Sequence, residues 1–331
     1  MAIPALKIVE PDMDTDAPAP VPEQPSPPAP ASSARGLGRS FAGPLAKAFD
    51  TLWPPALGIA VFLALWALLA PQVKTSLGTL PGPGEVWTAF LALMGEHAAA
   101  RAEGAAAVAA GGYYSGAPTF IDQIFTSLKT VAMGFILASL VAVPLGLVAG
   151  MSRRVNAAIN PLVQVMRPVS PLAWLPIVTM VVSASITSAE PMLPKSFVIS
   201  AVVVMLCSLW PTLINTAVGV SSIDKDLLNV ARVLRLGWMA RLTKLVLPSA
   251  MPYIFTGMRL SLGVGWMVLI AAEMLAQNPG LGKFVWDEFQ NGSERSLSRI
   301  MVAVVAIGLI GVVLDRIMGA LQSFASRRSA R

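Results

Sequence analysis

Asp226-Leu227-Leu228-Asn229-Val230-Ala231-Arg232-Val233-Leu234-Arg235-Leu236-Gly237, running on to Leu247-Pro248, is a polar, basic stretch between two long apolar runs, 196–218 and 252–276. Apolar residues recur at Leu227, Val230, Leu234 and Trp238, with Leu228 and Ala231 beside them, which is helix spacing. Arg232, Arg235, Arg241 and Lys244 occupy much of the other side. Pro248 has no N–H to donate and its ring clashes with the preceding turn, so Leu247-Pro248 is expected to end the pattern. A chain that holds such a segment outside a bilayer has a surface with which to touch another molecule.

The composition requires the bilayer. Of 331 residues, 55% are hydrophobic and 13% charged, against about 25% charged in a soluble domain. A mean hydropathy of +0.68 would demand an implausibly large dry core in a soluble protein. The net charge of +6 sits in short loops between apolar runs and not on one amphipathic face, which fits the positive-inside rule and not a nucleic-acid partner. Cys207, the one cysteine, lies inside an apolar run, and His97, the one histidine, has no second His or Cys beside it, so no metal site is expected.

The runs order the chain. Residues 1–48 are rich in Pro, Ala and Ser and are expected to be a disordered tail. The run 52–70 matches the about 20 residues that cross a bilayer and reads as an uncleaved signal-anchor. Residues 71–120 form an outer loop holding an Ala/Gly-rich insert, 96–117, which reads as a loose helix or an unstructured loop. Five more apolar runs follow at about 124–150, 172–188, 196–218, 252–276 and 300–321, before a basic tail at 323–331. Pro168, Pro171 and Pro176 crowd the start of the third span, which is expected to enter broken or partly re-entrant. Six spans place both termini on one side. Sixteen Lys and Arg lie on the side of the tail, the 219–251 loop and the C-terminus, against six opposite, so that side is expected to be cytoplasmic.

On these residues the 224–248 segment resembles the cytoplasmic loop of ABC importer permeases, whose pattern is Glu-Ala-Ala, three residues, Gly, nine residues, Ile, one residue, Leu-Pro. Aligned on Leu247-Pro248, the pattern's isoleucine falls on Leu245, its glycine on Arg235 and its Glu-Ala-Ala on Asn229-Val230-Ala231. The flanks, Met166 to Pro176 and Pro252 to Gly263, are similar to the nitrate/nitrite branch of the nitrate–sulfonate–taurine permeases, which tends to carry a basic residue at the loop glycine. The resemblance covers roughly 120–322 and implies an all-α integral membrane protein of about six helices with the type I ABC importer permease fold, its permease domain at 121–322. It implies a bacterial inner-membrane location, a homodimer of two copies in membrane lipid, cytoplasmic ATPase subunits that hold the ATP and Mg, and an external solute-binding protein. Nitrate or nitrite is the favoured cargo; cyanate, bicarbonate, taurine and alkanesulfonates stay open. Asn229, Ala231, Arg232, Arg235, Gly237, Leu247 and Pro248 are the residues expected to couple to the ATPase.

Within the spans, Arg259, Gly263, Trp266, Ile270 and Glu273 follow spacings of 4, 3, 4 and 3 and line one helical face. Arg259 and Glu273 lie about 21 Å apart along the helix, too far for a mutual pair. The functional reading gives Arg259 to a crossing anion, Trp266 to the path and Glu273 to an outer gate. The alternative is snorkelling, or a pair with a neighbouring helix. Gly280-Leu281-Gly282-Lys283 superficially resembles a phosphate loop but lacks its upstream glycine and its Ser/Thr. With no catalytic constellation in the sequence, the chain is read as a transport subunit and not an enzyme. A secondary transporter or channel working through Glu273, and a membrane scaffold docking through the Pro-rich tail, are the rivals from other classes.

Overall fold

The computed structural model describes residues 42–75, 78–112, 116–187, 193–293 and 295–329. Most of the 1–48 segment lies outside them. The helix α1 (Ala42–Leu69) already includes the last residues assigned to the tail. Two compact units divide the chain, Met1–Ala56 and Leu57–Arg331. The first contributes the opening of α1, and the second everything described below.

After α1 come a two-residue hairpin, β1 (Lys74–Thr75) with β2 (Gly78–Thr79), and α2 (Pro83–Ala109). Much of the insert is therefore helical, joined to α2 without a break. Then follow α3 (Phe120–Met151), α4 (Arg153–Met166), α5 (Pro171–Ser185) and α6 (Lys195–Ser221). The last part holds α7 (Lys225–Val233), α8 (Trp238–Arg241), α9 (Leu247–Ala276), α10 (Leu281–Asn291) and α11 (Ser296–Ser329). Among the described residues five helical stretches are long and apolar enough to cross a membrane: Leu52–Gln72, Phe120–Met151, Lys195–Ser221, Trp238–Ala276 and Ser296–Ala325. The sixth candidate is the pair α4 and α5, bent by 102°. Pro168 and Pro171 stand at that bend, where each disfavours helix in the residue before it.

At the centre, α6 packs between α3 and α9. The α3 side of this contact is a ladder of small residues at every fourth position: Gly134, Ala138, Ala142, Gly146 and Gly150. A Cβ at Gly146 would fall 2.6 Å from the Thr216 Cβ and 2.8 Å from the Leu213 carbonyl oxygen. Without a hydrophobic drive between helices in lipid, backbone proximity of this kind is what holds spans together. On the other flank, Gly257 lies against Asn215 and Gly265 against Ser208, so these glycines of α9 serve close approach. Ser261 joins the same contact: its hydroxyl donates to the Ser208 carbonyl, lies 2.7 Å from the Thr212 hydroxyl and accepts from the Thr212 N–H at 3.1 Å. The neighbouring helix thus satisfies backbone loosened beside Pro211.

Candidate functional site

The segment between α6 and α9 is a helix, a break and a second helix. Asp224 caps α7, its carboxylate accepting from the Asp226 N–H at 2.9 Å. α7 ends at Val233, short of the single run to Leu247-Pro248 that the spacing implied. At its end the Leu236 N–H donates to the Ala231 carbonyl at 3.0 Å and the Arg235 N–H to the Arg232 carbonyl at 3.0 Å. These two bonds form a Schellman motif, and they put Arg235 at the position that must turn left-handed. Its φ is +49°. The residue aligned with the pattern's glycine is therefore one where the backbone itself favours glycine.

Gly237 precedes α8 with φ −60° and no atom within 4 Å of a would-be Cβ, so its glycine is not demanded by the local fold. Leu247-Pro248 does not end a helix. Leu242–Val246 forms a π-helical turn that runs on into α9, where Pro248 sits in the first turn. The wider turn stands where the proline ring would otherwise clash with the preceding turn. From Trp238 to Ala276 the chain is one helical rod of 39 residues, about 58 Å long at 1.5 Å per residue.

α7 is two-faced. Ala231 is buried, and Leu228 packs on the cluster of Val220, Ile223, Val246, Ala250 and Ile254. Leu227, Val230, Val233, Leu234, Trp238 and Met239 lie outward, Val233 82% exposed. Arg232 donates to the Asn229 side chain at 2.6 Å and stays at the rim of this face. The result is an apolar patch in a basic frame, at the end of a rod long and apolar enough to cross the bilayer.

Of the three residues assigned to the path, the structure sets Glu273 apart from Arg259 and Trp266. Glu273 is fully buried. Its carboxylate accepts from the Ser127 hydroxyl at 2.8 and 2.9 Å, from the Gly282 N–H at 3.0 Å and from the Asn278 amide at 3.4 Å. Ser127 in turn accepts from the Leu281 N–H at 2.8 Å. Gly280-Leu281-Gly282 folds around a carboxyl group at a helix N-terminus, with the Gly282 N–H donating to it, and that group is the protein's own side chain. A Cβ at Gly280 would fall 2.2 Å from a Glu273 oxygen, and one at Gly282 2.1 Å from the Ile270 carbonyl. Glu273 thereby fastens α10 to α3 and α9 at the end of the rod far from α7.

Arg259 is paired with a neighbouring helix. Its Nε and Nη2 donate to the two oxygens of Asp315 on α11, each at 2.6 Å. Trp266, one turn and more along α9, is buried and donates from Nε1 to the Ile307 carbonyl at 3.0 Å. Arg259, Trp266 and Asp315 share a small cavity with Gly263 and Gly311. Asp315 had been missed because one acidic residue in a long apolar run shows no partner in sequence. Ser127 escapes a sequence reading because a small polar residue in a span looks like packing, and Asn278 because it stands in the loop between α9 and α10. His97 lies 2.6 Å from the Thr119 hydroxyl, and Arg101 pairs with Asp122 beside it, tying α2 to the start of α3. Cys207 is half-buried within α6.

The sequence matches the family described as binding-protein-dependent transport system inner membrane component over residues 142–327. It is 40% identical over 208 residues to the nitrate import permease protein of Synechococcus elongatus, covering 62% of this chain and 71% of that one. It is 36% identical over 282 residues to the bicarbonate transport system permease protein of the same organism, covering 85% and 92%. In three dimensions it resembles an inward-facing structure of the MetNI methionine ABC transporter with a TM-score of 0.53, covering 62% of this chain and 95% of that one. At 12% identity, that likeness speaks for the fold.

Proposed function

Because the chain belongs to the binding-protein-dependent inner-membrane components, the permeases of ABC importers, we propose that it carries a small anion inward, nitrate or nitrite by preference, on the stroke of a partner ATPase. The observation that carries the mechanism is the outward apolar face of α7 and α8, a surface that a membrane protein has no reason to leave bare in water. In this reading the face seats in a groove of the ATPase, with Asn229, Arg232 and Arg235 around it, while Ala231, Gly237, Leu247 and Pro248 shape its path into the rod. ATPase closure then moves α9 as a unit. Sixteen basic residues on the side of this segment support a cytoplasmic placement for it and for both termini.

A second copy of the chain completes the pathway in this proposal, since one copy holds one permease domain. An external binding protein delivers the solute and supplies most of the selectivity. The relatives named for nitrate and for bicarbonate make those two anions the alternatives to separate. Both are small, planar and singly charged. The test is uptake of labelled nitrate and of labelled bicarbonate into liposomes holding the permease, its ATPase and the binding protein. Nitrate should accumulate with ATP only, and should stop when the Walker lysine of the ATPase is replaced. Uptake that persists without the ATPase would put the protein among channels or secondary transporters instead.

A further inference from the structure

Arg259 and Asp315 hold their ion pair beside an open cavity and not in a sealed contact. Arg259 lies about 18 Å along α9 from Leu247 and Asp315 about 15 Å along α11 from Ala325, inside two stretches long and apolar enough to cross a membrane and toward the end of each that the charge count assigns to the cytoplasm. Within such stretches charges are costly and face a water-filled cavity or a partner. Yet the two side chains are 43% and 47% exposed. Beside them is a cavity of about 140 Å³. Its walls are firm and small: Trp266 is pinned by the Ile307 carbonyl, Gly311 lies against the Trp266 ring, and a Cβ at Gly263 would meet nothing within 4 Å.

We propose that this is a binding site for a planar oxyanion, in which Asp315 is the resident counter-ion and the cargo takes its place on Arg259. The guanidinium meets the carboxylate through two parallel N–H donors, a fork that fits any planar group with two oxygens on one edge. Nitrate and bicarbonate present that edge, so each can accept the two bonds that Asp315 accepts now. With Asp315 in place the charge of Arg259 is neutralised. The small cavity admits a compact anion and leaves little room for a taurine or alkanesulfonate chain. Asp315 thus becomes a selectivity residue that answers to no sequence motif. The inference rests on the reading of this chain as a small-anion permease.

The test measures labelled nitrate uptake into liposomes that hold the whole transporter, for the wild type, for R259Q and for the swap R259D/D315R. R259Q should lose at least about tenfold, and the swap should stay as low although its ion pair can re-form. A swap that imports like the wild type overturns the proposal, because a structural pair is indifferent to which helix holds the guanidinium; the permease reading would survive that result. A wild type that imports neither nitrate nor bicarbonate ends the permease reading and this site with it. Should the swap fail to assemble, R259C is made in a chain whose single cysteine, Cys207, is serine. A positively charged aminoethyl methanethiosulfonate should restore uptake, and a negatively charged sulfonatoethyl one should not. Restoration by both alike, restoration by neither, or a cysteine that reacts with neither reagent, overturns the site.

Discussion

Glu273 shows how much one buried residue can organise. It receives hydrogen bonds from Ser127, Gly282 and Asn278, and no cation lies among these partners. A buried acceptor matched by several donors is stable, whereas donors left without it bear the full desolvation cost. Glu273→Ala should therefore destabilise the protein by about 3 kcal/mol, read as a lower thermal midpoint in detergent. Glu273→Gln should fall by less, because its amide oxygen can still accept from Gly282 or Ser127. Equal midpoints for the two variants would show that the acceptor is unimportant. The spacing along the helix placed Glu273 on one face with Arg259, and its remaining partners come from 146 residues earlier in the chain and from the loop that folds back over it. No local pattern could announce them.

At the scale of elements, the segment between α6 and α9 was legible as helical and two-faced, but its joints were not. Leu247-Pro248 reads as a stop, yet it lies inside the continuous helical rod Trp238–Ala276. The true break is at Arg235, a residue with no reputation as a helix breaker. Two Schellman hydrogen bonds hold it at φ +49°, a conformation that costs a residue with a Cβ about 1–2 kcal/mol. Glycine there would avoid that cost while losing some entropy in the unfolded chain. Arg235→Gly should thus stabilise the protein by about 0.5–1 kcal/mol, and Arg235→Val should destabilise it, since a β-branched residue is a poor fit to this conformation. Thermal unfolding of the two variants in detergent checks the opposite signs. If the segment seats on an ATPase, loss of the positive charge at 235 should also weaken co-purification of that subunit, in a manner that high salt mimics.

For the molecule as a whole, orientation is the open consequence of the charge count, and single cysteines test it. In a chain with Cys207 replaced by serine, Val233→Cys on α7 and Lys283→Cys on α10 lie at opposite ends of the α9 rod. A membrane-impermeant maleimide applied to spheroplasts should label residue 283 and leave 233 untouched until the membrane is opened. The reverse result would invert the topology and remove the α7 face from any cytoplasmic engine. That the chain lives in a membrane and that it holds five or six apolar spans were determined by the sequence alone, because hydrophobic length and helical period are local properties of a chain in lipid. Even the broken third span was readable from its prolines. What only the tertiary structure decided is which polar residues meet. The packing of α3 on α6 through a ladder of small residues, the cradle of Gly280-Leu281-Gly282 around Glu273 and the fork of Arg259 on Asp315 join positions distant in sequence. In a medium without water, each buried polar group must find its partner inside the protein, and that partner is named by the way the helices pack.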